Sequence, residues 1–142
     1  MMNDQALAEA VVNKLLEHDQ FSAWLGIELV EVAPGRAVVR MTTREEMLNG
    51  FGVCHGGIVY SLADSALAFA SNTCGRVAVS IETGISHTAP IHPGDTLTAE
   101  AREETASMRL AYHAIRVTNQ KSEVVGLFRG IVYRTGDRHF KS

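Results

Sequence analysis

The chain has 142 residues, a formal net charge of −3, 46% hydrophobic residues and 20% charged ones. Such a length suits one domain with a core of its own, and the composition is that of an ordinary soluble globular protein. The 13 Lys and Arg are scattered rather than gathered into a stripe, which argues against a nucleic-acid partner, and no apolar run nears the ~20 residues that span a bilayer.

Asn3 or Asp4 is placed to cap a first helix within residues 1–20, with Leu7, Val11 and Leu15 on one apolar stripe. After Trp24 the pattern changes to strands. Residues 26–32 and 37–41 flank Ala33-Pro34-Gly35-Arg36, a Pro-Gly turn suited to a type II connection. A glycine-bearing loop over residues 47–53 then leads into a helix that ends at the polar, glycine-bearing stretch 72–75.

The second half reads as strands. In residues 77–88, Val77, Val79 and Ile81 alternate with Ala78, Ser80 and Glu82. Further strands are expected over 95–104, 109–118 and 123–134, separated by short turns, an antiparallel meander. Gly126 and Gly130 weaken the last strand unless something lies close to it, and a helix of small residues would supply the reason. The expectation is an α+β fold, one long helix on a curved antiparallel sheet. It is a single domain over 1–142, with 137–142 as a short flexible tail. Cys54 and Cys74 make no disulfide framework and no leader pattern opens the chain, so a reducing, cytoplasmic setting is expected.

Asp64 is the only charged residue between Gly56 and Gly75. A surface helix would alternate a charged face with an apolar stripe, and aspartate is a poor interior helix residue. The carboxylate is therefore expected to be held against protein, which makes it a functional-site candidate. The structural alternative is a pair with an arginine such as Arg129. Other chemistries find no support. Cys54 and His55 are adjacent and aim apart, the six histidines and two cysteines lack metal-ligand spacing, and nucleophile-elbow and phosphate-loop patterns are missing.

Met47-Leu48-Asn49-Gly50, Cys54-His55-Gly56-Gly57, Leu62-Ala63-Asp64, Pro93-Gly94-Asp95 and Phe128-Arg129-Gly130 together resemble the hotdog-fold acyl-CoA thioesterases, in particular the phenylacetic-acid-degradation type. The similarity runs from about Trp24 to Gly136. It implies a hotdog fold, an acyl-CoA substrate, no metal or organic cofactor, and a homo-oligomer, dimer or tetramer. It also implies an aromatic acyl group, phenylacetyl or hydroxyphenylacetyl, with a medium-chain acyl group as the competitor.

Within that resemblance Asp64 is the general base or the nucleophile. Gly56 offers its N–H as the oxyanion donor at the helix start, and Gly57 lets substrate come close. Asn49 orients water or the carboxylate, unless its Asn-Gly pair is only a turn. His55 has a supporting role, and Ser80 positions water. The segment 104–109 lacks the glycine and begins acidic where relatives bind the coenzyme A arm. Arg109 and Arg134 are then the best-placed cations, with ordinary surface arginine as the alternative. Two rivals remain, a non-catalytic acyl-CoA-binding module and a dehydratase of the same fold. The first would lack the carboxylate or the Gly-Gly entry, and the second would carry an Asp–His hydratase motif.

Gly56 and Asp64 lie ~12 Å apart along one helix axis. A thioester carbonyl must sit about 3 Å from both its donor and its attacker. The geometry closes if two such helices run antiparallel across a two-fold axis. The small face of Gly57, Tyr60, Ser61, Asp64 and Ala68 would allow the approach.

Overall fold

A computed structural model describes residues 2–141. Asn3 caps α1 (Asp4–His18), its side chain accepting from the Ala6 N–H at 2.8 Å. Val11 and Val12 of α1 are buried while Leu7 and Leu15 are half-buried, so the expected stripe is rotated toward Ala8 and Val12. Asp19 ends α1 and caps a second short helix, α2 (Gln20–Leu25), which stops at Gly26 in the left-handed region. The sequence pattern does not reveal α2, because its two outward aromatics, Phe21 and Trp24, mask the period.

β1 (Glu28–Ala33) and β2 (Arg36–Thr42) form the expected hairpin, and Gly35 takes the positive φ of +73° that the Pro-Gly turn demands. The long helix α3 (Gly56–Asn72) follows, then β3 (Arg76–His87), β4 (Thr96–Ala106), β5 (Leu110–Thr118) and β6 (Val124–Arg138). All six strands form one antiparallel sheet in the order β1-β2-β4-β5-β6-β3. The sequence predicts a meander, and only β4-β5-β6 is one. β3 crosses to the far side of β6 because α3 lies between β2 and β3 and carries the chain across the concave face.

The core lies between α3 and that concave face. Leu62, Ala63, Ala66, Leu67, Phe69 and Ala70 meet Ala99, Ala101, Ile115, Val117 and Phe128. Helix and sheet lie close at Gly130, where a Cβ would come within 2.5 Å of Leu67 Cδ2. The helix is thus the reason for Gly130, while a Cβ at Gly126 would meet Ile85 and Val59 at ordinary contact distance. Burying these side chains contributes roughly 1.5–3 kcal/mol for each large one, as an upper estimate.

β3 does not alternate as one strand. Its pairing with β6 shifts between Arg76 and Ala78, runs regularly from Ala78 to Ser80, shifts again between Ser80 and Glu82, and resumes with Glu82 opposite Ile131 and Thr83 opposite Gly130. Before this bulge the even positions face α3, as Ala78 and Ser80 show beside Asp64. After it the odd positions do. Thr83 hydrogen-bonds Tyr60 of α3, Ile85 lies near Val59, and His87 rests on Gly56. Where the sequence predicts a loose tail from Asp137, β6 continues to Arg138, and the His139 N–H donates to the Gly75 carbonyl at 2.9 Å. Met1 and Ser142 lie outside the described residues.

Candidate active site

The loop before α3 is tied by its own amides. The Asn49 Oδ1 accepts from Phe51 N–H at 2.9 Å and from Val53 N–H at 3.4 Å, and the Asn49 N–H donates to the Val53 carbonyl at 2.8 Å. Asn49 therefore organises the loop through its carbonyl side. Its amide nitrogen makes no hydrogen bond among the described residues and stays available.

His55 is the cap of α3. Its Nδ1 accepts the Gly57 N–H at 2.9 Å, and its carbonyl accepts the Ile58 N–H at 2.9 Å. His55 thus holds the helix entry through its ring and its carbonyl. It also commits the Gly57 N–H, so the Gly57 backbone has no donor left for a ligand. The Gly56 N–H has no acceptor among the described residues. The Gly57 and Ile58 amides are both bonded to His55, so the Gly56 N–H is left with its dipole unopposed.

Gly56 opens into a cavity of about 400 Å³. Val53, Val59, Ala89 and Ile91 supply apolar wall, and Cys54, His87 and Thr88 supply the polar side chains. Asp64 and Ser80 line a separate, smaller space of about 70 Å³ with Leu67, Ala68 and Ser71. One chain thus holds the two halves of the expected chemistry apart. Asp64 is exposed on its own chain, so the enclosure expected for it is not supplied by its own helix and sheet. The surrounding protein still removes enough water to raise its carboxyl above the usual aspartate value of 3.8. Asp64 makes no ion pair among the described residues. Arg129, its suggested structural partner, instead lays its guanidinium over Gly84 on the opposite face of the sheet.

Along α3 the positions Gly57, Asp64 and Ala68 are exposed and Tyr60 and Ser61 half-buried, while Leu62, Ala63, Ser65, Ala66 and Leu67 are buried. The helix therefore carries a stripe of small residues, Gly57, Ser61 and Ala68 with Asp64 among them, that its own sheet leaves open, whereas Tyr60 is tied to its own sheet through Thr83 and Phe128. Beside it runs β3, which pairs with β6 along one edge and, among the described residues, with no strand along the other.

The cations proposed for the coenzyme A arm lie elsewhere. Arg134 is paired with Glu103 at 2.5 Å, its side chain only 15% exposed. It lines a cavity with Thr73 and Cys74 at the far end of α3. That guanidinium is already held by a carboxylate of its own chain. Arg109 is exposed in the β4–β5 turn and unpaired among the described residues. His87 is the residue that sequence reasoning misses. It is a single histidine at a strand end, with no local pattern, and only the crossing of β3 brings it to Gly56.

A family model described as thioesterase superfamily matches residues 51–125. The Escherichia coli K12 acyl-coenzyme A thioesterase PaaI is 40% identical over 122 residues, covering 86% of this chain and 87% of that protein. Its solved structure superposes with a TM-score of 0.94 at 37% identity, over 96% of this chain and 99% of the other. An Archaeoglobus fulgidus protein described as a putative esterase is 35% identical over 131 residues, 92% of this chain and 85% of its own. A Streptococcus mutans protein solved with acetyl CoA bound matches at 26% identity and a TM-score of 0.76, over 79% of this chain and 90% of its own. The six-stranded sheet wrapped on α3 is the hotdog fold, and the chain belongs to the thioesterase superfamily.

Proposed function

We propose that this chain hydrolyses acyl-CoA thioesters to coenzyme A and a carboxylic acid, in sites that two copies build together. The observation that carries this reading is the unopposed Gly56 N–H and the unpaired Asp64 carboxylate on one uncovered helix, two turns apart and facing different cavities. Its curated relatives include acyl-CoA thioesterases.

Asp64 takes a proton from water as the water oxygen attacks the thioester carbon. Its raised pKa brings it nearer the working pH, which strengthens it as a base. Ser80, in the same small space, holds the water. The carbonyl oxygen gains negative charge and is met by the Gly56 N–H of the other copy. Collapse of the tetrahedral intermediate breaks the carbon–sulfur bond, and the proton held by Asp64 goes to the leaving thiolate. Attack by the Asp64 carboxylate itself, through an anhydride that water then cleaves, uses the same groups.

The open stripe of α3 and the free edge of β3 are continuous, and both suit a second copy running antiparallel. The assembly is then a dimer with two shared sites, or a tetramer of two such dimers. An aromatic acyl group, phenylacetyl or hydroxyphenylacetyl, is favoured over a medium-chain one because the E. coli relative comes from the phenylacetic acid degradation operon. The free thiols Cys54 and Cys74 suit a cytoplasmic setting.

Thiol release measured over a panel of aromatic and medium-chain acyl-CoA esters tests the activity, and no release from any member sinks it. Complementation tests the sharing. Asp64→Asn and Asn49→Ala homodimers of low activity are mixed and allowed to exchange. Activity returns in the heterodimer because one of its two sites is then wholly native. Exchange confirmed by mass without recovery places the site within one chain.

A further inference from the structure

The Gly56 cavity holds one uncommitted side-chain donor. Thr88 Oγ1 donates to the Val124 carbonyl at 2.7 Å, and the Cys54 thiol is directed at the His55 carbonyl at 3.7 Å. The imidazole of His87 hydrogen-bonds to nothing among the described residues. The bulge in β3 turns it to the helix side, where its Nε2 and Cε1 each lie 3.1 Å from the point a Gly56 Cβ would occupy.

Position 56 is therefore glycine for a reason separate from backbone conformation. Its φ is not in the left-handed region, and any side chain there would press on the ring. A Cβ lies about 2.5 Å from its own nitrogen, so the ring edge and the Gly56 nitrogen are at most about 5.6 Å apart. One oxygen accepting two hydrogen bonds of about 2.9 Å spans that distance. A single backbone N–H is a sparse oxyanion site, and transition-state charge in an apolar cavity is better met by two donors.

We propose that His87 is the second donor to the thioester oxygen, its Nε2–H acting beside the Gly56 N–H of the same chain. This rests on the thioesterase reading, and it makes His87 a catalytic residue rather than a wall of the acyl pocket. The oxygen is common to every thioester, so the contribution is the same whatever the acyl group.

The test pairs turnover with binding. His87→Ala is expected to lower kcat by about 10²-fold with little change in KM, by a similar factor for every ester turned over. His87→Gln, which retains an N–H, recovers part of the loss and guards against a misfolded alanine variant. Binding uses two inert coenzyme A derivatives, a ketone with CH2 in place of sulfur and an alkyl thioether without the oxygen. Wild type prefers the ketone, and His87→Ala narrows that preference about 5–10-fold while holding the thioether equally well. If wild type releases no thiol, the thioesterase reading fails, and the analogue pair still decides the role of His87. Turnover of His87→Ala within twofold of wild type overturns the proposal. So does a loss confined to acyl groups with polar substituents, an unchanged ketone preference, or a wild type that binds neither analogue.

Discussion

The two ends of α3 are finished in opposite ways. At the C-terminal end the buried Asn72 amide donates to the Ala68 carbonyl at 2.7 Å and to the Ala78 carbonyl at 3.2 Å. Its Oδ1 accepts the Ala78 N–H at 2.9 Å and meets His139 Nε2 at 2.7 Å. Thr73 Oγ1 donates to the Ala70 carbonyl and accepts the Gly35 N–H, both at 2.8 Å. One turn of helix is thereby stapled to β3, to the β1–β2 turn and to the end of β6. At the N-terminal end His55 satisfies Gly57 and leaves Gly56 open. Satisfied polar groups hold the helix in place, and an unsatisfied one at an accessible end is where chemistry can act. Substitutions at the two ends should therefore separate activity from stability.

The largest expected effect lies on the open face. Asp64→Asn should lower kcat by ~10²–10⁴-fold while leaving oligomer size unchanged. In the wild type kcat/KM should fall as pH drops through the raised Asp64 pKa, because the base must be ionised, and that acid limb should lie above the ordinary aspartate range. A carboxyl whose folded pKa is raised weakens the fold once pH exceeds its unfolded value. The asparagine variant should therefore melt no lower than wild type at neutral pH. Near-normal turnover in thiol-release assays would move the chemistry off this face, and a clear loss of melting temperature would make Asp64 structural.

Asn72→Ala should do the reverse. It strips partners from three partly buried backbone groups, the Ala68 carbonyl and both polar atoms of Ala78, which costs about 2–4 kcal/mol in denaturant unfolding. Turnover below the melting transition should stay within a few-fold. A variant that is stable but inactive would erase the contrast between the two ends.

The smallest effect concerns His113, which is 2% exposed on β5, with neither ring nitrogen hydrogen-bonded among the described residues. Burial lowers its pKa below the ordinary 6.5, against the opposing influence of Glu103 and with that of Arg134. The neutral ring is thus favoured in the fold, and stability present above pH 6.5 is lost as pH falls and the unfolded chain takes up the proton. His113→Phe should flatten that fall by up to about 1.4 kcal/mol per pH unit, read from urea midpoints between neutral and mildly acidic pH. An unchanged slope would assign the dependence to other groups, His139 first among them.

Much of this was legible in the residues. The Pro34-Gly35 turn, the α3 span, the β4-β5-β6 meander and the close approach at Gly130 all follow from local chemistry and period. Asp64 stood out because it is the lone charge in its helix. The place of β3 beyond β6 did not follow, because strand pairing across a long crossover leaves no mark in local sequence. His87 was hidden for the same reason. The pairing of Arg134 with Glu103 was hidden because that partner sits 31 residues away on another strand. The exposure of Asp64 contradicted a sound local inference, since one chain cannot report a surface that only a second copy would cover.

The bulge between Ser80 and Glu82 acts as a reading-frame shift written into a strand. Upstream of it even-numbered residues look at α3, and downstream odd-numbered residues do, so Ser80 and His87 serve the same face although their numbers differ by an odd count. No point substitution can undo this, because the frame depends on chain length and not on side-chain identity. Straightening the strand with every residue kept would present Gly84 and Ser86 to the helix, whereas deleting Ile81 would give unbroken pairing with β6 and leave Thr83, Ile85 and His87 on the helix side. In this strand one supernumerary residue, and not the identity of its neighbours, decides which side chains meet α3.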